Sequence, residues 1–423
     1  ALAGPVLHLL ATRIGGNEIL GCRSGAITAL GLCGPGASMK VCDNSLNVNG
    51  PGITAGVDGL WIESNKLLAS TQRDSAVLNG SGIALRTGLD PNGANECQIL
   101  ANQVSGFEDA GILIASPTAE LIVKLNIVQR CGNGIVSQDE ARSANVAIEN
   151  NQVSDIGSAR AGAAAEVLGI GVLRAATASV VGNSVRRVGQ QAAQALLRAG
   201  VAASGVERLR ISGNDVTDIA PAGAFEAGQG VGVLLRAPFA QADVSHNQVD
   251  RESQPLFQGG GRFIALWVDA PLGTGAVSRV GLYAALQVDA ATTLVFGATR
   301  PFVVHGAALD ASGAAPVPRG ASASVLGNSL AARGDMPAVR VAASGDCLFS
   351  DNRCELRGTG TKIAVELRGG ATIVNANRVR GGEVSLLIHG TAKTATVLGN
   401  ITTGSIDLGG ALGAPWNALN LRA

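Results

Sequence analysis

Charge is scarce in this chain. Asp, Glu, Lys and Arg make up 15% of its 423 residues, against about 25% in an ordinary soluble domain. The two signs balance at 32 each, which leaves neither the basic footprint of a nucleic-acid binder nor an acidic tail. Much of the surface then falls to Ala, Gly, Ser, Thr, Asn and Gln, as suits a stiff rod or a protein whose outside is partly covered by partners. No apolar run approaches the roughly 18 to 20 residues that cross a bilayer, so membrane insertion is not expected. No signal peptide stands at the start, and a chain opening on Ala1 reads as a processed or excised segment. Aromatics are few.

Metal and cofactor signals are missing too. The four His, at 8, 246, 305 and 389, are far apart in sequence, and Cys22, Cys33 and Cys42 lack zinc-ligand spacing. Gly-rich stretches such as Gly259–Gly261 lack the strand and the Lys-Ser/Thr of a phosphate loop. No metal site and no cofactor are expected. Cys97, Cys347 and Cys354 occupy apolar positions of the repeat described next and read as buried core thiols; a disulfide among Cys22, Cys33 and Cys42 stays open.

What the chain does have is a phrase repeated almost end to end. In Ile211-Ser212-Gly213-Asn214-Asp215-Val216 an apolar residue, two spacers, Asn, a spacer and an apolar residue follow one another. The phrase recurs around Asn17, Asn44, Asn65, Asn102, Asn126, Asn151 and Asn183, and again around Asn247, Asn328, Asn352, Asn377 and Asn400. Such a period marks a solenoid or array, and a repeat of this extent argues for one elongated unit. Apolar residues at −5, −3 and +2 alternate as strands do. The change of phase at Asn marks a tight bend, often preceded by Gly, Asp or Asn, which tolerate a left-handed backbone; Leu125 breaks that pattern. A second phrase, Gly followed by alternating apolar residues as at Gly111-Ile112 and Gly200-Val201, supplies a third strand per repeat.

The spacing of the Asn residues divides the chain. Residues 1–249 read as coils with Asn bends, three of which carry extra Ala- and Gln-rich loops within 157–230. Gln190–Arg198 has helix-favouring composition, so short helical turns are expected on one side. Within 250–327 the Asn phrase disappears; strand-like runs there, including Leu282–Val288 and Phe302–His305, suggest about three coils with different bends, or a domain break at Gly259–Gly261. Residues 328–408 return to regular coils, and 409–423 read as a C-terminal cap with Trp416 over the last coil.

Three short strands per coil and a stacked Asn bend, as in Ile148-Glu149-Asn150-Asn151-Gln152-Val153 followed by Gly171-Val172, resemble the right-handed parallel β-helix, or pectate-lyase-like, superfamily. The expected fold is therefore an all-β, single-stranded right-handed parallel β-helix solenoid of about 16 coils with a loop-bearing side layer. At roughly 4.8 Å per coil it would be about 75–80 Å long. The resemblance implies bend Asn side chains stacked as a ladder, and work at the bacterial cell surface or outside the cell. The excess of Arg over Lys, 27 to 5, also hints at a GC-rich bacterial genome.

The resemblance does not select a chemistry, since one superfold hosts unrelated activities. Enzymes of this class cluster Asp, Arg, Lys or His on adjacent coils, and no such cluster or family catalytic phrase is visible. The carboxylate candidates are Glu108 and Asp109, with Asp139 and Glu140 one coil later; they form either a hydrolytic pair or solvated turns. Phe107, Phe225 and Phe257 fall in loops after a repeat Asn and are binding candidates, as an aromatic shelf or as packing beneath the Ala-rich layer. The first expectation is a non-enzymatic scaffold or binding module, fibre-, spike- or adhesin-like, that presents its side loops to a partner or to sister subunits. It is expected to form a homo-oligomer or larger assembly, with a glycan as a second candidate partner and no nucleic acid. The alternative is a polysaccharide lyase, hydrolase or tailspike-like depolymerase.

Overall fold

The structure, a computed structural model, describes residues 11–23, 25–30, 38–70, 80–86, 94–138, 143–157, 166–192, 195–220, 229–237, 239–250, 263–269, 294–296, 300–302, 321–333, 336–357, 363–389, 392, 394–410 and 416–423. Among them there is no helix, and the strands stack in parallel as a β-helix solenoid. Each coil offers three faces. The first holds the strand before the Asn bend, as in Ser38–Cys42; the second holds the strand after it, as in Ser45–Val48; the third follows, as in Ile53–Gly56. The second face is a sheet of 14 strands. The first and third merge into one sheet of 25 because Glu166–Val181 and Leu197–Ser212 run unbroken around their shared corner. Arg174 and Gly205 turn that corner with φ of 52° and 67°.

The repeat phrase reads directly as packing. Residues at −3 and +2 from each Asn point inward, and Ile62, Ile99, Val128, Val180, Val216 and Val325 are all buried. Glycine opens several third-face strands because the +2 side chain of the following coil crowds it. A Cβ on Gly111 would lie 2.2 Å from Val128 Cγ1, and one on Gly232 would lie 2.2 Å from Val249 Cγ1.

The bends are locked by asparagine. Each Asn from Asn17 to Asn400 donates its side-chain N–H to Oδ1 of the Asn on the next rung at 2.8–3.0 Å, and the series ends on Asn420. The residue before every one of these Asn has positive φ. Leu125 is no exception at 59°, and Ser64, Ala101 and Ala376 share the conformation. The ladder over-determines the bend and imposes it on residues that disfavour it.

Three expectations are corrected. The step from Asn247 to Asn328 holds no extra coils: Gln241–Ser245 pairs directly with Ser322–Leu326, and Phe263–Asp269 with Val339–Ala342. The ribbon Leu294–Phe296/Arg300–Phe302 is antiparallel and separate from both solenoid sheets, while the expected strand Leu282–Val288 lies outside the described residues. Among the described residues, fourteen rungs at ~4.8 Å span about 60 Å, shorter by the coils that this step lacks. The rung count also gains one at the end, where Trp416–Ala418 pairs with Thr394–Leu398 and Leu421–Arg422 with Ile401–Thr402; the Trp416 side chain is outside the described set. Finally, the described part of Gln190–Arg198 is not helical. It turns through Ala192 N–H to Gly189 O (3.2 Å) and Ala195 N–H to Ala192 O (3.1 Å), then enters a strand at Leu197.

Candidate functional site

The carboxylates singled out from the sequence are built into a turn. Glu108 and Asp109 are half-buried. Ser81 Oγ donates to Asp109 Oδ2 at 2.9 Å, Asn133 N–H to Asp109 O at 2.7 Å, and Gly132 N–H to Phe107 O at 2.9 Å. The Glu108 carbonyl presses so closely on the next coil that a Cβ on Gly132 would lie 1.9 Å from it. Asp139 and Glu140 lie outside the described residues. Phe107 is fully buried in the solenoid core and offers no shelf; Phe225 and Phe257 are outside the described set.

Among the described cysteines, Cys22 and Cys42 are free thiols, and Cys33 is not described. Cys97, Cys347 and Cys354 are buried as expected, joined by Cys131. Burial pushes the thiols of Cys97, Cys131 and Cys347 up to about 12.

The structure assembles a different group, on the outer side of the third face. A register column runs from Leu113 through Val136, Gly171, Ala202, Leu234 and Trp267 to Arg340 and Glu366. Its apolar members form a second buried cluster with Ile264 and Val231, outside the solenoid core. At Arg340 the column becomes polar.

There Glu366, only 7% exposed, sits among three basic groups. Arg340 Nε donates to its Oε2 at 2.7 Å, Arg368 Nη2 to Oε1 at 3.1 Å, and His389 Nε2 meets Oε1 at 2.5 Å. Burial favours the neutral carboxyl, but the Arg340 charge and the His389 and Arg340 hydrogen bonds outweigh it and hold the pKa of Glu366 below its ordinary value. A carboxylate facing Nε2 selects the tautomer with N–H there, which leaves Nδ1 as a hydrogen-bond acceptor. An oriented imidazole beside a half-exposed guanidinium can hold an anion and accept a proton. Sequence reading missed this group because its members stand on three coils whose third-face strands follow the Asn bend at unequal distances.

A shallow cleft of about 660 Å3 opens elsewhere, lined by Glu207, Arg208, Gln241, Ser322, Asp346 and Leu348 among others. No group of metal-ligating side chains occurs among the described residues. No helix among them is long and apolar enough to cross a membrane. No protein-family model matches the chain, and no curated protein matches it.

Proposed function

We propose that this chain is a non-enzymatic β-helix scaffold or binding module of the pectate-lyase-like, right-handed type. It works outside a bacterial cell or on its surface and presents its sides to sister subunits or to a partner such as a glycan. The observation that carries the reading is how the chain uses its few charges. Lys40–Glu63, Lys124–Glu149, Arg187–Asp155, Arg186–Asp215 and Arg340–Glu366 each tie one rung to the next. Charge used in this way stiffens a rod. The exposed pairs among them contribute only tenths of a kcal/mol each, but together with the ladder they fix a rigid platform. The solution mass, measured by light scattering or mass photometry, tests the reading. A trimer or larger assembly is expected, whereas a clean monomer without glycan affinity would overturn it.

The second reading, a polysaccharide lyase, hydrolase or depolymerase, draws on the Glu366–His389 pair beside Arg368. It requires chain cleavage of an anionic or neutral glycan that is lost in both Glu366→Gln and His389→Ala. Cleavage retained in both variants, or no cleavage by the parent, sinks it.

A further inference from the structure

On the outer side of the second face, near the C-terminal end, arginine stacks on arginine. Arg353 and Arg378 occupy the same register on successive parallel strands, about 4.8 Å apart. Arg380 stands two residues along from Arg378, level with Glu355. All three arginines are exposed, and none of their guanidinium groups has a hydrogen bond or ion pair among the described residues. Like charges placed opposite each other on a sheet cost stability. Arg13 and Lys40 also stand in register, but each is tied to an acid, Asp43 and Glu63, whereas Arg353 and Arg378 are not. Glu355 is the nearest acid, and it is already bonded by Arg357 Nη2 at 2.9 Å. That hydrogen bond first, and then the charges of Arg357, Arg380 and Arg353, hold its pKa below the ordinary value. Asp351 is a second acid at the corner, accepting from Ser350 Oγ.

The same register column continues through Ile401 to Leu421. Leu421 is 64% exposed, and Leu419, at the bend beside it, is 85% exposed. Leu421 points outward by register, so a further rung would not cover it, and Leu419 stands out at the bend. A flat sheet face thus carries unpaired guanidiniums contiguous with bare leucines. That pairing of cations with apolar side chains fits an anionic lipid surface, where arginines meet headgroup phosphates and leucines enter the headgroup–acyl boundary. A single-stranded nucleic acid fits worse, since no aromatic platform for bases lies among these outward residues.

We infer that this face, built on Arg353, Arg378, Arg380, Leu419 and Leu421, docks the protein peripherally on an anionic bilayer without spanning it. The inference concerns a face separate from the Glu366 group, and it stands or falls apart from the scaffold's oligomeric state.

Flotation with mixed phosphatidylglycerol–phosphatidylcholine vesicles and with pure phosphatidylcholine vesicles tests it. The whole chain should float with the anionic vesicles only, and less as salt is raised. The variant Arg353→Glu/Arg378→Glu/Arg380→Glu should lose about a hundredfold in affinity or more. The neutral variant Arg353→Gln/Arg378→Gln/Arg380→Gln, which leaves the fold least disturbed, should lose at least tenfold. Leu419→Ser/Leu421→Ser should also weaken flotation. Equal binding to neutral vesicles, no binding at all, or full binding by the glutamine variant overturns the proposal. Full flotation by the serine variant together with loss in the arginine variants overturns it too, because the face would then be a site for soluble polyanions.

Discussion

Asn247 and Asn328 are separated by 81 positions in the chain, yet Asn247 Nδ2 donates to Asn328 Oδ1 at 3.0 Å, as between any two neighbouring rungs. The solenoid therefore continues across this step without a missing or added coil. Replacing residues 272–318 with a short Gly/Ser linker should leave a folded rod, since the closure cost changes slowly with loop length. Circular dichroism and urea unfolding check this. Loss of cooperative unfolding would mean that the segment supplies part of the stack after all.

Asn214 satisfies several buried groups at once. It donates to Asn247 Oδ1 at 2.8 Å and to Val180 O at 2.9 Å, and it accepts from the backbone and side-chain N–H of Asn183 at 3.0 Å. Asn214→Leu has nearly the same volume but leaves those partners unmet. It should destabilise the rod by about 3 kcal/mol, read from the urea midpoint. A change within experimental error would show that the ladder contributes little.

The opposite sign is expected one position before Asn126. Leu125 is held at φ 59° with its side chain 55% exposed. Asn tolerates that conformation, as Asn150 does on the next rung at 52°. Leu125→Asn should therefore stabilise by roughly 0.5–1 kcal/mol, seen as a raised melting temperature.

The pKa of Glu366 is lowered on folding. A carboxylate of this kind contributes stability that is fully present above its unfolded pKa and is lost as pH falls through its folded one. The melting temperature should thus fall on acidification from about pH 5 downward, and Glu366→Gln should show a smaller fall over the same range. Parallel curves for the two proteins would contradict the assignment.

The thiols of Cys97, Cys131 and Cys347, raised to about 12, are buried and neutral at ordinary pH. Iodoacetamide at pH 8 should leave them intact in the folded protein and label them in urea, as mass spectrometry would report. Rapid labelling of the native protein would place them at the surface.

The ladder was legible because nearly every coil carries one Asn flanked at −3 and +2 by apolar residues (Asn400, with Thr402 at +2, departs), a pattern that needs no knowledge of loop length. Asn420 escaped it for a local reason. Its −3 and +2 positions hold Asn417 and Arg422, both polar, although the rung forms. The Glu366 group escaped for a geometric one. Arg340 follows its rung Asn by twelve residues and Glu366 by fourteen, so only the strand register brings them level. Leu125 read as an exception because residue preference at a bend is weaker than a ladder that fixes the bend from both sides.

The asparagine series also gives the rod a direction. Along the ladder each amide donates toward the rung that follows and accepts from the rung before, so the side-chain dipoles add along the axis, whereas successive backbone C=O groups of a strand point alternately up and down it. Aligned hydrogen bonds polarise one another. The line of amides therefore resembles the macrodipole of a helix: electronegative at the Asn17 end, electropositive at the Asn420 end. Cations would gather at one tip and anions at the other.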